Sequence, residues 1–221
     1  LKNRGAEFHM EAEAERVERS VSGYQVTLTN GEIVIVDGIY DVAGRIANIG
    51  GLQLEKAGIE YTERGISVDD HLTTSQPHIF AMGDVNGGPQ FTYISLDDFR
   101  IVKSFLDNQG SYTRNERQPV AFSAFLHPTF SRVGLSEKEA REKGYKIKVA
   151  TLPVTAIPKA KILGNQTGLY KAVVDAENNQ ILGVTLFGEE SHEVINIVVL
   201  AMMTKQPYTV LANQIFTHPT M

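Results

Sequence analysis

The sequence predicts an α/β segment followed by an α+β domain, in which an antiparallel sheet is flanked by helices. Two alternating apolar runs flank Asn30-Gly31, which is typical of a β-hairpin. A short apolar run at 79–82 leads through a glycine-containing loop into a helical pattern, which is half of a βαβ unit. Beyond residue 118, four strand patterns and two helical patterns follow. Strands with helices on one side indicate an α+β domain.

The composition is that of a folded globular protein. Hydrophobic residues make up 42% of the 221 residues and charged residues 21%, which is too apolar for a disordered chain. The net charge of −5 argues against non-specific nucleic-acid binding. No apolar run approaches the roughly 20 residues of a membrane span, and the first five residues do not resemble a signal peptide. We therefore expect a cytoplasmic protein without nucleic-acid or membrane partners.

The first elements predicted along the chain are strands. Residues 24–28 and 32–36 form the hairpin, because Asn30 and Gly31 both tolerate the positive φ of a tight turn. The apolar run 38–45 predicts a further strand. A two-stranded ribbon is not stable alone, so its partner layer is expected upstream or in another chain.

The middle of the chain predicts two short strands and one helix. The strands are 66–69 and 79–82, the second leading into Gly83-Asp84. Apolar residues then recur at steps of three and four, which predicts a helix that starts near Thr92 and ends at Gly110.

The last part begins after the polar stretch 111–118. Ser136 and Glu139 form a capping-box pattern that opens a short helix, and 190–203 predicts an apolar-faced helix. The predicted strands lie near 121–125, 146–152, 169–175 and 180–187.

The stretch 80–85 carries the clearest signal for a binding site. In nucleotide-binding α/β folds, ligands bind beyond the carboxyl ends of the strands. Gly83 would let the backbone approach a ligand, and Asp84 would accept hydrogen bonds from sugar or sugar-alcohol hydroxyls. The helix from Thr92 would direct its N-terminal amides at the same ligand. From these residues alone, an ordinary Gly-Asp turn is an equally good interpretation.

An ordered set of motifs resembles the second half of the pyridine nucleotide-disulfide oxidoreductases, the class I family of glutathione reductase, dihydrolipoamide dehydrogenase and mercuric reductase. The family's Gly-Arg-x-Pro-Asn is matched at 44–48, and its dimerisation-domain start at 125–137. The matching motifs, in order, are 44–48, 66–69, 79–85, 90–93, 125–128, 133–137, 168–171, 181–183 and 216–220.

The resemblance implies three domains and a flavoenzyme. Residues 1–45 would end an NAD(P)-binding domain, 46–117 would be the second segment of an FAD-binding domain, and 118–221 would be a dimerisation domain. The implied activity is electron transfer from NAD(P)H through FAD to a disulfide or similar small acceptor, in redox homeostasis. The implied assembly is a homodimer.

The resemblance also assigns roles to individual residues. Asp84, after Gly83, would hold a hydroxyl of the flavin ribityl chain, and the backbone around Thr92 would meet the flavin pyrimidine ring. Gly44 and Arg45 would lie near the nicotinamide nucleotide, although a Gly-Arg pair that simply ends a strand is an equally good interpretation. Two further residues, Gln90 and Phe91, occupy the family's Leu-Thr-Pro region before the helix.

His218 has a structural and a catalytic interpretation. A histidine before proline in a loop is more often structural. At the family's His-Pro-Thr position, it resembles the acid–base that protonates a thiol leaving group at the partner subunit's flavin, a task suited to a pKa near neutrality.

Several family features are absent from the sequence. It has no cysteine, no Gly-x-Gly-x-x-Gly and no histidine pair typical of a metal site. Ala47 and Tyr93 replace family prolines. We therefore expect a fragment, cut at both ends and inactive by itself. The alternative is a non-catalytic module that only dimerises or binds partners.

Overall fold

The computed structural model describes residue 2 and residues 5–107, 110, 112–117 and 119–221. It contains ten strands and five α-helices in those residues. The predicted mixed fold class is confirmed. Ser111 and Gln118, which bound the polar stretch predicted between domains, lie outside the described residues, as does Leu1.

The first sheet is antiparallel and has the order β1-β2-β3, with β1 at Ala14–Ser20, β2 at Gly23–Leu28 and β3 at Ile33–Val36. The predicted hairpin is confirmed as β2-β3. Its turn is longer than a two-residue one. Only Gly31 has a positive φ, 85°, and its amide donates to the Leu28 carbonyl at 2.8 Å.

The strand predicted at 38–45 is wrong, because this segment has no strand pairing. Its apolar side chains are exposed, Tyr40 by 89%. An apolar run becomes a strand only when a neighbouring strand satisfies its amides and carbonyls. No described strand lies beside this one.

Two middle strands are shorter than predicted. The first shrinks to β5 (Gly65–Ile66), which pairs with β4 (Tyr61–Thr62). The run 79–82 is extended and makes one isolated bridge, between Thr73 and Phe80. The predicted half βαβ unit therefore lacks a full strand among the described residues. The apolar side chains of this region are instead buried in a small core, which is formed by Leu54, Ile59, Ile66 and Ala81.

Helix α1 spans Thr92–Leu106, which confirms the predicted start. It ends before Gly110, because Asp107 forms the C-cap and its amide donates to the Lys103 carbonyl at 2.9 Å. The apolar face of α1 buries Ile101 and Val102 against Leu72.

The last part is a five-stranded antiparallel sheet with the order β6-β7-β10-β9-β8. Helix α4 packs on β7 and β10, around a core that includes Val133, Leu186 and Ile195. The strands are β6 (Phe122–Ala124), β7 (Phe130–Gly134), β8 (Ile147–Pro153), β9 (Leu169–Asp175) and β10 (Ile181–Phe187). The helices are α2 (Glu137–Glu142), α3 (Pro158–Leu163), α4 (Ser191–Met203) and α5 (Thr209–Asn213).

In this last part of the chain, the prediction missed β7, α3 and α5. The sequence of β7 lacks the apolar alternation of a half-buried strand, because a serine occupies a position on its buried face. Ser131 is fully buried, and its hydroxyl bonds the hydroxyls of Ser123 at 2.8 Å and Ser191 at 3.1 Å. Such a pairing satisfies a buried polar group that looks solvent-facing in the sequence.

Within the described part of the chain, no helix is both long enough and apolar enough to cross a membrane.

Candidate functional site

The Gly83–Asp84 pair opens a 3-10 turn, Gly83–Asn86, at the end of the extended run before α1. Gly83 is buried and has φ of +74°. A Cβ at this position would lie 2.2 Å from Ser95 Oγ on α1. Both the left-handed backbone and the close approach to α1 favour glycine here. The turn therefore packs directly against the helix and leaves the Asp84 side chain half-exposed.

A buried carboxylate holds this turn from beneath. Asp98 is 1% exposed, and its Oδ2 accepts hydrogen bonds from the Gly83 amide at 2.8 Å and from Asn86 Nδ2 at 2.9 Å. Asn86 Nδ2 also donates to the Ala81 carbonyl at 3.1 Å, and Asn86 Oδ1 accepts from the Gly88 amide at 3.0 Å. Asp98 and Asn86 thus tie the two ends of the turn together.

Arg117 neutralises this carboxylate. Its Nη2 donates to Asp98, and its Nε donates to Asp97 Oδ2 at 2.6 Å. Burial alone would lower the pKa of Arg117, but its hydrogen bonds to the two carboxylates and their negative charges together outweigh burial and raise its pKa. Arg117 is therefore a permanent cation at this position.

Sequence reasoning missed Asp98, Asn86 and Arg117. One signal was available, because Asp98 lies four residues after Ile94 and three before Ile101, both buried positions of α1. A carboxylate on the apolar stripe of a helix needs buried partners. The sequence does not say which residues supply them.

Arg45 joins two of the predicted site segments. Its Nη2 donates to the Gln90 carbonyl at 2.9 Å, and its Nη1 lies 3.5 Å from Asp84 Oδ2. Both side chains of the ion pair are more than half-exposed, so the pair adds little stability. Its effect is positional, since it brings the segment after Gly44 to the Asp84 turn.

The N-terminus of α1 lies directly after Gln90. Phe91 is extended and its side chain does not cap the helix. The Phe91 ring stacks on Tyr93 with centroids 5.0 Å apart, and Tyr93 donates to the Ala121 carbonyl at 2.8 Å. Burial raises the pKa of Tyr93. These contacts fix the first turn of α1, which begins at Thr92, against the chain that leads into β6.

An open depression of about 590 Å³ borders this cluster. It is lined by Arg45, Ile46, Ala47, Glu63, Arg64, Gly87, Gly88, Gln90 and Phe91. The structure thus brings seven predicted residues into one region: Gly44, Arg45, Gly83, Asp84, Gln90, Phe91 and Thr92.

His218 is not brought into this region by any described contact. It is exposed and lies after α5, followed by Pro219. In the residues that the structure describes, no hydrogen bond or ion pair joins it to the seven-residue cluster.

The cluster fits a polyhydroxylated, anionic cofactor. Asp84 offers a carboxylate acceptor for hydroxyls, Arg45 offers a cation, and the start of α1 offers amides at the positive end of the helix dipole. The described ranges contain no group of three or more histidine, aspartate or glutamate side chains placed to hold a metal ion.

Two family models match most of the chain. The pyridine nucleotide-disulphide oxidoreductase model matches residues 1–98, and the dimerisation-domain model of the same enzymes matches residues 120–221.

Curated relatives and solved structures agree with these matches. The chain is 43% identical to the probable pyridine nucleotide-disulfide oxidoreductase RclA of Escherichia coli over 100% of the chain and 50% of the relative. It is 37% identical to a mercuric reductase of Lysinibacillus sphaericus over 85% of the chain and 35% of the relative. A solved structure of the HOCl-induced flavoprotein disulfide reductase RclA from Escherichia coli superposes with a TM-score of 0.95 at 41% identity, covering 100% of this chain and 51% of that one. The chain spans about half the length or less of these relatives.

Proposed function

The chain belongs to the pyridine nucleotide-disulfide oxidoreductase family, and on that premise we propose that it works in an FAD-dependent oxidoreductase. This enzyme passes electrons from NAD(P)H to a disulfide or similar small acceptor in redox homeostasis. One observation carries the proposal: Arg45 pairs with Asp84 on the glycine turn and also donates to the Gln90 carbonyl, two residues before the uncapped start of α1. Family members are FAD-dependent and use NAD(P)H.

The residues of this cluster would bind and orient the cofactor. The flavin, when bound, supplies the hydride and electron chemistry. Asp84 would accept a hydrogen bond from a ribityl hydroxyl. The amides in the first turn of α1, around Thr92, would stabilise negative charge at the pyrimidine edge of the ring. Gln90 and Phe91 would line the approach to that edge, and Gly44 with Arg45 would lie on the nicotinamide side.

The acid–base role falls to His218, acting in a homodimer. We propose that His218 reaches the partner subunit's site and donates a proton to the departing thiolate, which leaves as a thiol. The dimer is supported by the dimerisation-domain match at 120–221. It is also supported by the exposed apolar side of α4, where Ile197, Leu200 and Met203 are each at least 40% exposed.

We propose that the enzyme acts in the cytoplasm on a small-molecule substrate, without nucleic-acid or membrane partners. NAD(P)H is an intracellular reductant, and the net charge of −5 disfavours nucleic acid and anionic lipid surfaces.

The test is FAD binding by the native holoprotein and two aspartate variants. Asp84→Ala removes the proposed ribityl contact, whereas Asp107→Ala removes a similarly exposed carboxylate just beyond the other end of α1. After the flavin is removed, fluorescence titration with FAD should show that Asp84→Ala binds FAD at least roughly tenfold more weakly than wild type, as expected for a lost hydrogen bond to a charged group. Asp107→Ala should bind like wild type.

Two results would contradict the proposal. Equal FAD affinities for the two variants would remove Asp84 from the site. The proposed function would be overturned by a native protein that holds no flavin, or by one whose flavin absorbance is not bleached when NAD(P)H is added under anaerobic conditions.

A further inference from the structure

We infer that Asp98 is a positioning residue, which orients the Gly83–Asn86 turn so that the Asp84 carboxylate faces the cofactor. This inference rests on the proposed flavin site and assigns a role to a residue outside it. Its basis is the buried contact between Asp98 Oδ2 and the Gly83 amide at 2.8 Å.

The direction of the Gly83 amide determines where Asp84 points. Because the amide is drawn inward to Asp98, the next residue in the tight turn has its side chain on the outer side. The Asp84 side chain is indeed 51% exposed, whereas the Asp98 side chain is 2% exposed. The left-handed φ of Gly83 makes this reversal of direction possible in a single residue.

The charge arrangement favours a fixed orientation. Asp98 accepts through both oxygens: Oδ2 takes the Gly83 amide and Asn86 Nδ2, and Oδ1 takes Arg117. All three partners are donors, so only a carboxylate satisfies them together. An amide side chain at this position would place a donor against a donor on one side. The turn is therefore held by a residue that cannot rotate without losing a buried hydrogen bond.

Asp97 provides a matched comparison on the adjacent residue. It also accepts from Arg117, at 2.6 Å, and accepts from the Tyr112 hydroxyl at 2.9 Å. No described hydrogen bond joins Asp97 to the Gly83–Asn86 turn. Loss of either carboxylate removes one hydrogen-bond acceptor of Arg117. Only loss of Asp98 also removes the acceptor of the Gly83 amide.

The experiment compares Asp98→Ala with Asp97→Ala in the native holoprotein. The first readout is hydrogen exchange of the Gly83 amide, which should lose protection by roughly tenfold or more in Asp98→Ala because no acceptor is left for it. The second is the FAD dissociation constant with the visible flavin spectrum. Asp98→Ala should bind FAD roughly tenfold more weakly with a shifted spectrum, whereas Asp97→Ala should stay within about threefold of wild type. A purely structural role would lower stability in both variants and leave the spectrum unchanged.

The outcomes separate the inference from the function on which it rests. Wild-type binding of FAD, with equal affinities and spectra for the two variants, would overturn the inference alone. Wild-type protein that binds no FAD would overturn the proposed function and this inference with it. If Asp98→Ala does not fold, Asn86→Ala takes its place, since it removes a second tether of the same turn. Asn86→Ala should then weaken FAD binding, and unchanged affinity would overturn the inference.

Discussion

Gly87 closes the turn that carries Asp84, and replacing it with alanine should destabilise the site region more than a matched glycine replacement elsewhere. Gly87 has φ 70° and ψ 10°, and its amide donates to the Asp84 carbonyl at 3.2 Å. A Cβ there would lie 2.5 Å from the Arg64 backbone carbonyl oxygen. Gly164 ends α3 with φ 73° and ψ 6°, and its amide donates to the Lys161 carbonyl at 3.2 Å. A Cβ at Gly164 would meet no atom within 4 Å.

The two substitutions share one cost and differ in the other. A left-handed alanine costs about 1–2 kcal/mol at either position. The gain from a stiffer unfolded chain is also common to both, so it cancels in the comparison. Gly87→Ala must in addition move the backbone of Arg64, and overpacking of that kind costs about 1–3 kcal/mol. We therefore expect Gly87→Ala to lose about 1–3 kcal/mol more local stability than Gly164→Ala.

Native-state hydrogen exchange with mass spectrometry measures each effect in its own region. Peptides spanning 60–90 report the opening free energy around Gly87, and peptides spanning 155–170 report that around Gly164. Each variant is compared with wild type over the same peptides. Equal losses at the two positions would refute the argument, because they would mean that the Arg64 carbonyl does not restrict residue 87.

Two further predictions concern single side chains. In the holoenzyme, His218→Ala should leave flavin reduction by NAD(P)H intact and slow reoxidation by the acceptor by about 10²–10⁴-fold. The control is His127→Ala, which changes another exposed histidine that precedes proline and should alter neither half-reaction. A normal oxidative half-reaction in His218→Ala would contradict the proposed catalytic role of His218. Hydrogen bonds to Ser136 and the nearby Arg132 cation lower the pKa of Glu139 from 4.5 to about 2. The stabilisation that ionised Glu139 gives to α2 should therefore be complete above pH 4.5 and be lost as the pH falls to about 2. Exchange rates of the α2 amides should show this loss in wild type and not in Glu139→Gln, and the same acid dependence in both would contradict it.

Local patterns in the sequence determined the elements whose stability is itself local. The β2-β3 hairpin, the start of α1 at Thr92 and the capping box at Ser136 were all predicted correctly. In the capping box, Ser136 Oγ accepts from the Glu139 amide at 3.2 Å, and Glu139 accepts from the Ser136 amide at 2.7 Å. Such elements depend on residues within one turn of each other, so their composition and spacing are sufficient to identify them.

Family membership was also available from the sequence. The order of the short motifs between 44–48 and 216–220 identified the family, and the comparisons confirmed it. Order along a chain is a property of the sequence alone, and several weak motifs in a fixed order are jointly specific.

Contacts between residues far apart in the sequence were decided only by the tertiary structure. The run 38–45 is as apolar as a strand but has no described neighbour to pair with, whereas β7 is a strand although Ser131 lies on its buried face. Asp98 lies on the apolar stripe of α1, but its partners, Arg117 nineteen positions later and the Gly83 amide fifteen positions earlier, appear only in the folded chain. The physical reason is the same in each case. Whether an apolar run pairs, or a polar group is satisfied when buried, depends on partners that chain folding brings together.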